Sequence, residues 1–171
     1  QPDEDLFIEY FNRHPEVKLI IAPHVIDENH LVEIIRKLKR PYVRYTRADE
    51  KNVRKADCLI IDCFGLLSSI YRYGEIAYIG GGFGVGIHNT LEAAVYGIPV
   101  IFGPKYQKFQ EAIHLLEAKG GFSIKSYEEL KILLDRMLGD EDFLREAGKN
   151  AGAYVTDNAG TTDKVLGMIN F

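Results

Sequence analysis

Apolar residues in this chain gather into short runs that recur at helix-length intervals. Val17-Lys18-Leu19-Ile20-Ile21-Ala22, stopped by Pro23, reads as a first strand. Tyr42–Thr46, Asp57–Asp62, Ile76–Ile79 and Pro99–Phe102 follow, with Phe122–Ile124 as a short last one. Several of these are continuous rather than alternating, which suits strands covered on both faces in a parallel sheet. The pieces between them carry helical spacing. Leu6, Phe7, Tyr10 and Phe11 mark a helix over Asp3–Arg13. Leu31, Ile34, Ile35 and Leu38 mark another over Asp27–Leu38, with Asp27 as its cap. Leu66–Tyr71 is a short helix, and Gln107–Lys119 is one closed by Gly120-Gly121. Ser126 and Glu129 form a capping-box pattern that opens a helix through Leu138. Asp140 can cap the next helix, and Thr161 or Thr162 can start a final one.

Alternating strand and helix along the whole length predicts a doubly wound α/β fold, which binds ligands at the carboxyl ends of its strands. The run Gly80-Gly81-Gly82-Phe83-Gly84-Val85-Gly86-Ile87 follows the fourth predicted strand and leads straight into His88-Asn89-Thr90-Leu91-Glu92. Strand, glycine loop and helix start bring backbone N–H groups and a positive dipole end to one spot, a site for phosphate. The glycines between positions 80 and 86 exceed what one turn requires, which favours close backbone approach to a ligand. The loop comes too late in the chain for a dinucleotide fingerprint, so NAD is disfavoured.

Composition narrows the function classes. The 171 residues are 46% hydrophobic, enough for one compact domain, and carry a net charge of −4. That balance argues against a general nucleic-acid binder. The basic cluster Arg36-Lys37-Leu38-Lys39-Arg40 sits at a predicted helix end and reads as a solvated C-terminal turn. No apolar run is long enough to span a bilayer, and no signal peptide is visible. Cys58 and Cys63 have no metal-site spacing and read as reduced thiols in or beside a core strand, which suggests the cytosol. No nucleophile elbow and no HExxH occurs, so no metal site and no catalytic residue is assigned within this chain.

Candidate binding residues cluster at strand ends. His88, Asn89 and Glu92 can share one face at a helix entrance. A carboxylate at Glu92 can accept both hydrogen bonds of a ribose diol, while Asn89 or His88 touches phosphate or sugar. The alternative is plain capping by Asn89 and a dipole-favoured Glu92. Pro23 and His24 end the first strand, Gly65 and Leu66 follow the third, and Lys105 follows the fifth, where it can face an anion or stand on a plain exposed turn.

Gly80-Gly81 through Gly86-Ile87-His88-Asn89-Thr90-Leu91-Glu92, then Tyr96-Gly97-Ile98-Pro99-Val100-Ile101-Phe102-Gly103-Pro104, closely resembles the lipid A Kdo (3-deoxy-D-manno-octulosonate) transferases, whose pattern there runs roughly GG…GGHNxxEPAAxGxPVxxGP. Ile20-Ile21-Ala22-Pro23-His24 is similar to that family's APRH element. Asp62-Cys63-Phe64-Gly65-Leu66-Leu67 with Tyr71 is similar to its DTxGEL…Y element. The resemblance implies an α/β, Rossmann-like three-layer domain with a parallel sheet, the C-terminal half of a GT-B glycosyltransferase. It implies that residues 1–171 are a single domain binding the nucleotide sugar CMP-Kdo. The acceptor-binding N-terminal domain, with its membrane-facing surface and catalytic base, has no counterpart in the chain. On this reading the chain is a domain of a longer enzyme and lacks transferase activity by itself.

By the same resemblance, the whole enzyme transfers Kdo from CMP-Kdo to a lipid A precursor with inversion, in lipopolysaccharide biosynthesis. It works at the cytoplasmic face of the bacterial inner membrane, with CMP-Kdo as donor substrate and no cofactor. Donor contacts then fall on Pro23, His24, Gly65, Leu66, Gly81, Gly82, Gly86, His88, Asn89 and Glu92. The glycine loop and His88-Asn89 would approach the phosphate and Glu92 the ribose. The chain departs from the family in three places. The arginine of APRH is absent, and Arg44, Arg47 and Lys105 are the candidates to replace it as an anion contact. Gly65-Leu66-Leu67 lacks the carboxylate of GEL, and Glu92-Ala93-Ala94-Val95 stands for EPAA. Two other readings stay open: a GT-B domain for a UDP-sugar, as transferase or epimerase, and a non-catalytic binding module.

Overall fold

The computed structural model of the chain describes residues 2–159, and the helix expected at Thr161 or Thr162 lies outside them. The chain divides into two compact units, residues 1–74 with 125–134 and residues 75–124 with 135–171.

In the first unit the order is α1 (Pro2–Arg13), β1 (Leu19–Ile21), α2 (Glu28–Lys37), β2 (Tyr42–Arg44), a 3₁₀ turn (Tyr45–Arg47), α3 (Glu50–Val53), β3 (Cys58–Ile60), α4 (Leu67–Ile70) and a second 3₁₀ turn (Tyr71–Tyr73). The strands form a parallel sheet of order β1-β3-β2, with Leu19 and Tyr42 both in register with Cys58. Ile8 and Phe11 of α1 and Leu31 and Ile34 of α2, each pair one helical turn apart, close over Ile21, Cys58 and Ile60. Cys58 is therefore a small core hydrophobe, and burial pushes its thiol up to about 12. Asp27 caps α2 as the sequence predicts, accepting from the N–H groups of Asn29 and His30 at 2.9 and 3.1 Å.

The second unit follows the same logic with β4 (Ala77–Ile79), α5 (Leu91–Ala94), β5 (Val100–Phe102), α6 (Gln110–Glu117), β6 (Gly121–Ser123) and α8 (Glu141–Asn158). Between β6 and α8 runs α7 (Tyr127–Gly139). The sheet order is β4-β5-β6, again parallel, and its central strand, Val100-Ile101-Phe102, is buried along its whole length. That is the continuous apolar pattern expected for a strand covered on both faces. Small residues let α8 come close: a Cβ on Gly148 would meet the Gly97 carbonyl oxygen at 2.3 Å, and one on Gly120 would meet the Ala151 nitrogen at 2.4 Å. Ser126 accepts from the Glu129 N–H at 3.2 Å, but Glu129 reaches back to the N–H of Lys125, at 2.8 Å, one residue earlier than a capping box requires.

The mixed, parallel architecture is the α/β class predicted from the strand and helix pattern, in the Rossmann-like form that the family resemblance implies. Three details differ. The apolar pattern carries the second strand through Thr46, yet a 3₁₀ turn begins at Tyr45, because Asp62 captures the Thr46 N–H and hydroxyl. The α3 capping box, in which Asp49 and Asn52 hydrogen-bond reciprocally, adds a helix that the apolar pattern does not mark. The third concerns the basic cluster. Arg40 is not part of a solvated turn: its side chain is 12% exposed. It donates to the carbonyls of Phe11, His14 and Pro15 at 2.8, 2.9 and 2.8 Å. Its guanidinium lies 4.0 Å from the Phe11 ring centroid and 3.3 Å from Asp57.

One planar fork thus collects three carbonyls at and just past the end of α1, two of which, those of Phe11 and His14, also accept from the N–H groups of His14 and Val17. Arg40→Ala should lower stability by roughly 2 to 3 kcal/mol, because it removes charge-assisted hydrogen bonds to three carbonyls and a ring contact. Arg40→Lys should recover less than half of the loss, since an ammonium cannot reproduce the fork. Urea denaturation of the three proteins measures both.

Candidate functional site

A parallel sheet sends the segments after its strands out of the same, carboxyl edge, and each unit here gathers candidate residues in that way.

In the second unit the segment after β4 is the glycine loop, and it is knit tightly. The Gly81 carbonyl accepts from the N–H groups of Gly84 and Gly86 at 2.9 and 3.1 Å, and the Gly80 carbonyl accepts from His88 at 3.1 Å. Gly82 accepts from the Lys105 N–H at 3.0 Å, which ties the loop to the segment after β5. The Lys105 ammonium closes the same bridge by donating to the Gly84 carbonyl at 2.6 Å. A cation 21 residues away along the chain is thus held against the loop, whereas the residue pattern offers it only as an anion contact after the fifth strand.

Several glycines are required by this folding of the loop on itself. Gly81 has φ +93°, and a Cβ there would lie 2.2 Å from the Gly86 carbonyl oxygen. A Cβ on Gly82 would lie 2.5 Å from the Gly103 backbone, and Gly86, at φ +146°, packs under the Phe109 ring. At Gly80, by contrast, a Cβ would meet nothing within 4 Å. Internal packing therefore accounts for Gly81, Gly82 and Gly86. Among the loop N–H groups, those of Gly84, Gly86 and His88 are engaged inside the loop itself. The helix behind the loop is short: α5 has 4 residues, so its dipole adds little beyond local N–H groups.

At the entrance to α5, Asn89 and Glu92 meet as their spacing predicts. Asn89 accepts from the Leu91 N–H at 3.0 Å, and its amide donates to Glu92 at 3.1 Å. His88 and Asn89 are exposed and Glu92 is half-buried, so these polar groups are open to a ligand. Next to them Thr90 is fully buried, and its hydroxyl has no hydrogen-bond partner among the described residues. Nothing in the residue pattern singles out Thr90.

In the first unit, Pro23 is buried and His24 exposed just beyond β1. Arg44 is the last residue of β2, and Arg47, exposed, ends the 3₁₀ turn that follows. Asp62 to Leu66 follow β3, with Gly65 in the left-handed region at φ +86°. The organising group at this edge is Asp62, which the sequence offers only as part of a family element. Its side chain is 1% exposed. It accepts from Arg44 Nε at 2.8 Å and from the N–H and hydroxyl of Thr46 at 2.9 and 2.6 Å. The Arg44 Nη1 also donates to both oxygens of Glu28, at 2.7 and 3.0 Å. Arg44 is therefore engaged by two carboxylates, which raise its already high pKa. The sequence signal for Asp62 is a carboxylate placed directly after an apolar run, at a strand end.

Among the described residues no group of three or more His, Cys, Asp or Glu is placed to hold a metal ion, and no helix is long and apolar enough to cross a membrane. No family model matches the chain. Individual proteins do. The 3-deoxy-D-manno-octulosonic acid transferase of Aquifex aeolicus is 35% identical over 134 residues, which span 77% of this chain and 36% of that protein. The enzyme of the same name from Chlamydia muridarum is 30% identical over 158 residues, spanning 90% of this chain and 36% of that protein. Over most of its length the chain is thus similar to part of the Kdo transferases. It spans about a third of the length of these curated relatives. Among solved structures, the C-terminal CMP-Kdo binding domain of WaaA from Acinetobacter baumannii superposes with a TM-score of 0.73 at 19% identity, covering 88% of this chain and 81% of that one. The fold is thus that of the C-terminal half of a GT-B glycosyltransferase, as the family resemblance implied.

The Asp62 cluster carries a pH signature. Burial works to raise its carboxyl, but hydrogen bonds from the Thr46 hydroxyl and N–H and from Arg44 outweigh it and hold the group at about 2. A depressed carboxyl contributes stability that is complete above its unfolded value, near ~3.9, and is lost as pH falls through the folded one. The native chain should therefore lose stability between about pH 4 and pH 2 more steeply than Asp62→Asn, whose amide does not titrate there. Denaturant titrations at stepped pH measure the difference in slope.

Proposed function

We propose that this chain is the donor-binding part of a glycosyltransferase that moves Kdo from CMP-Kdo to a lipid A precursor in lipopolysaccharide biosynthesis. The observation that carries the reading is its relation to Kdo transferases across most of its length, 90% of the chain in one case. The superposition on a CMP-Kdo binding domain supports the same donor. In the glycine loop, backbone N–H donors and the Lys105 ammonium would face the donor phosphate, and pre-aimed donors of that kind stabilise a departing CMP. Glu92, steadied by Asn89, would accept from the ribose hydroxyls.

The chemistry would be completed by an N-terminal domain that supplies the base and the acceptor surface, at the cytoplasmic face of the inner membrane. The donor is a substrate, and the reading calls for no cofactor. Arg44, already engaged by Asp62 and Glu28, is the weakest of the three candidate replacements for the absent family arginine; Lys105, held against the loop, is the strongest.

A second reading has its own support. Internal packing explains Gly81, Gly82 and Gly86, and Asn89 and Glu92 bond each other, so the loop could persist in a binding module that has lost its ligand. An NMR titration with CMP, and with UMP as control, separates the readings. Selective shifts with CMP at residues 80–92 and at Gly65 and Leu66 are expected. Equal or larger shifts with UMP would move the donor to a uridine sugar, and no response to either at millimolar concentration would favour the module.

A further inference from the structure

The first unit displays an aromatic ring that neither its packing nor the donor contacts assigned so far use. Phe64 is 82% exposed, on the segment that leaves the carboxyl end of β3. An exposed aromatic on a mobile loop would mean little, but this segment is pinned on both sides. Two residues before the ring, Asp62 is locked by Arg44 and Thr46. Just after it, Gly65 turns at φ +86°, and the Leu66 carbonyl accepts from the N–H groups of Ser69 and Ile70 at 3.1 and 3.0 Å and from the Ser69 hydroxyl at 2.9 Å. Only Cys63, Phe64 and Gly65 lie between two fixed points, so the backbone that carries the exposed ring has little freedom. A Cβ on Gly65 would meet nothing within 4 Å, so the backbone beside the ring is also open to an incoming group.

We infer that Phe64 is the stacking platform for the nucleobase of the donor nucleotide. The inference rests on the proposed donor function and adds to it a residue that reads the base rather than the phosphate or ribose. A flat π face suits a planar heterocycle, and the exposed backbone at Gly65 can meet its polar edge. The position agrees, since parallel sheets take ligands at the carboxyl ends of their strands. An anionic bilayer is a poorer occupant, because the Arg44 cation at this edge is already bound by the carboxylates of Asp62 and Glu28.

The test uses the native chain, Phe64→Ala and Phe64→Trp, with CMP and with ribose 5-phosphate, which lacks a base. Because the side chain is so exposed, neither variant should change the unfolding midpoint. Phe64→Ala should weaken CMP about tenfold and leave ribose 5-phosphate unchanged, while Phe64→Trp should restore or tighten CMP. Equal CMP affinity in the native chain and Phe64→Ala overturns the inference and leaves the donor reading standing, as does equal weakening of both ligands. Loss of co-sedimentation with phosphatidylglycerol vesicles in Phe64→Ala, with CMP affinity unchanged, would assign the ring to a membrane instead. A native chain that binds neither ligand removes the donor reading and the platform together.

Discussion

The backbone of Gly82 lies directly against that of Gly103, so close that a single Cβ on either residue would fall less than 3 Å from the other's main chain. This contact joins the segment after β4 to the segment after β5. The Gly82 carbonyl can then take the Lys105 N–H, and the Lys105 side chain can bend back onto Gly84. Once those atoms are fixed, the turn at Gly81 and the return through Gly86 to His88 have little freedom left. The placement of His88, Asn89 and Glu92 is a consequence. Free energy of packing, in which glycine is the one residue that fits, thus organises the polar groups that the donor would meet.

The first unit reaches the same end by electrostatics instead of close packing. Asp62 gathers an arginine from the end of β2 and a threonine from the turn after it, and their hydrogen bonds more than offset the desolvation of its carboxylate. Arg40 has a comparable part at the opposite ends of α1 and α2, where it collects carbonyls and covers Phe11. Both are charged groups stabilised by several partners at once, and neither is replaceable by a residue of the same charge but different shape.

Much of this is legible in the residue pattern, and the parts that are not share a cause. Strands such as Val100–Phe102 and helices such as α2 announce themselves through local apolar periodicity and caps, and the structure places them within a residue or two. The position of the glycine loop, and the meeting of Asn89 with Glu92, are equally local. The features that local pattern misplaces depend on partners far along the chain. Arg40 looks solvated because its acceptors at Phe11 and His14 lie more than 25 residues earlier, and Thr46 looks like a strand because Asp62 lies 16 residues later. The glycines read as space for a ligand, whereas Gly82 makes room for Gly103, which no window of local sequence can reveal.

The central claim is that the loop knit around Gly82 presents its outer atoms to a nucleotide phosphate. Amide hydrogen exchange of the chain with and without saturating CMP tests it most directly, because it reads the loop backbone itself. Slower exchange at residues 80–92 and beside Phe64 at residues 64–66, with the core strand Val100–Phe102 unchanged, is the predicted result. Exchange that is unaltered at residues 80–92 while CMP is bound elsewhere on the chain would contradict it.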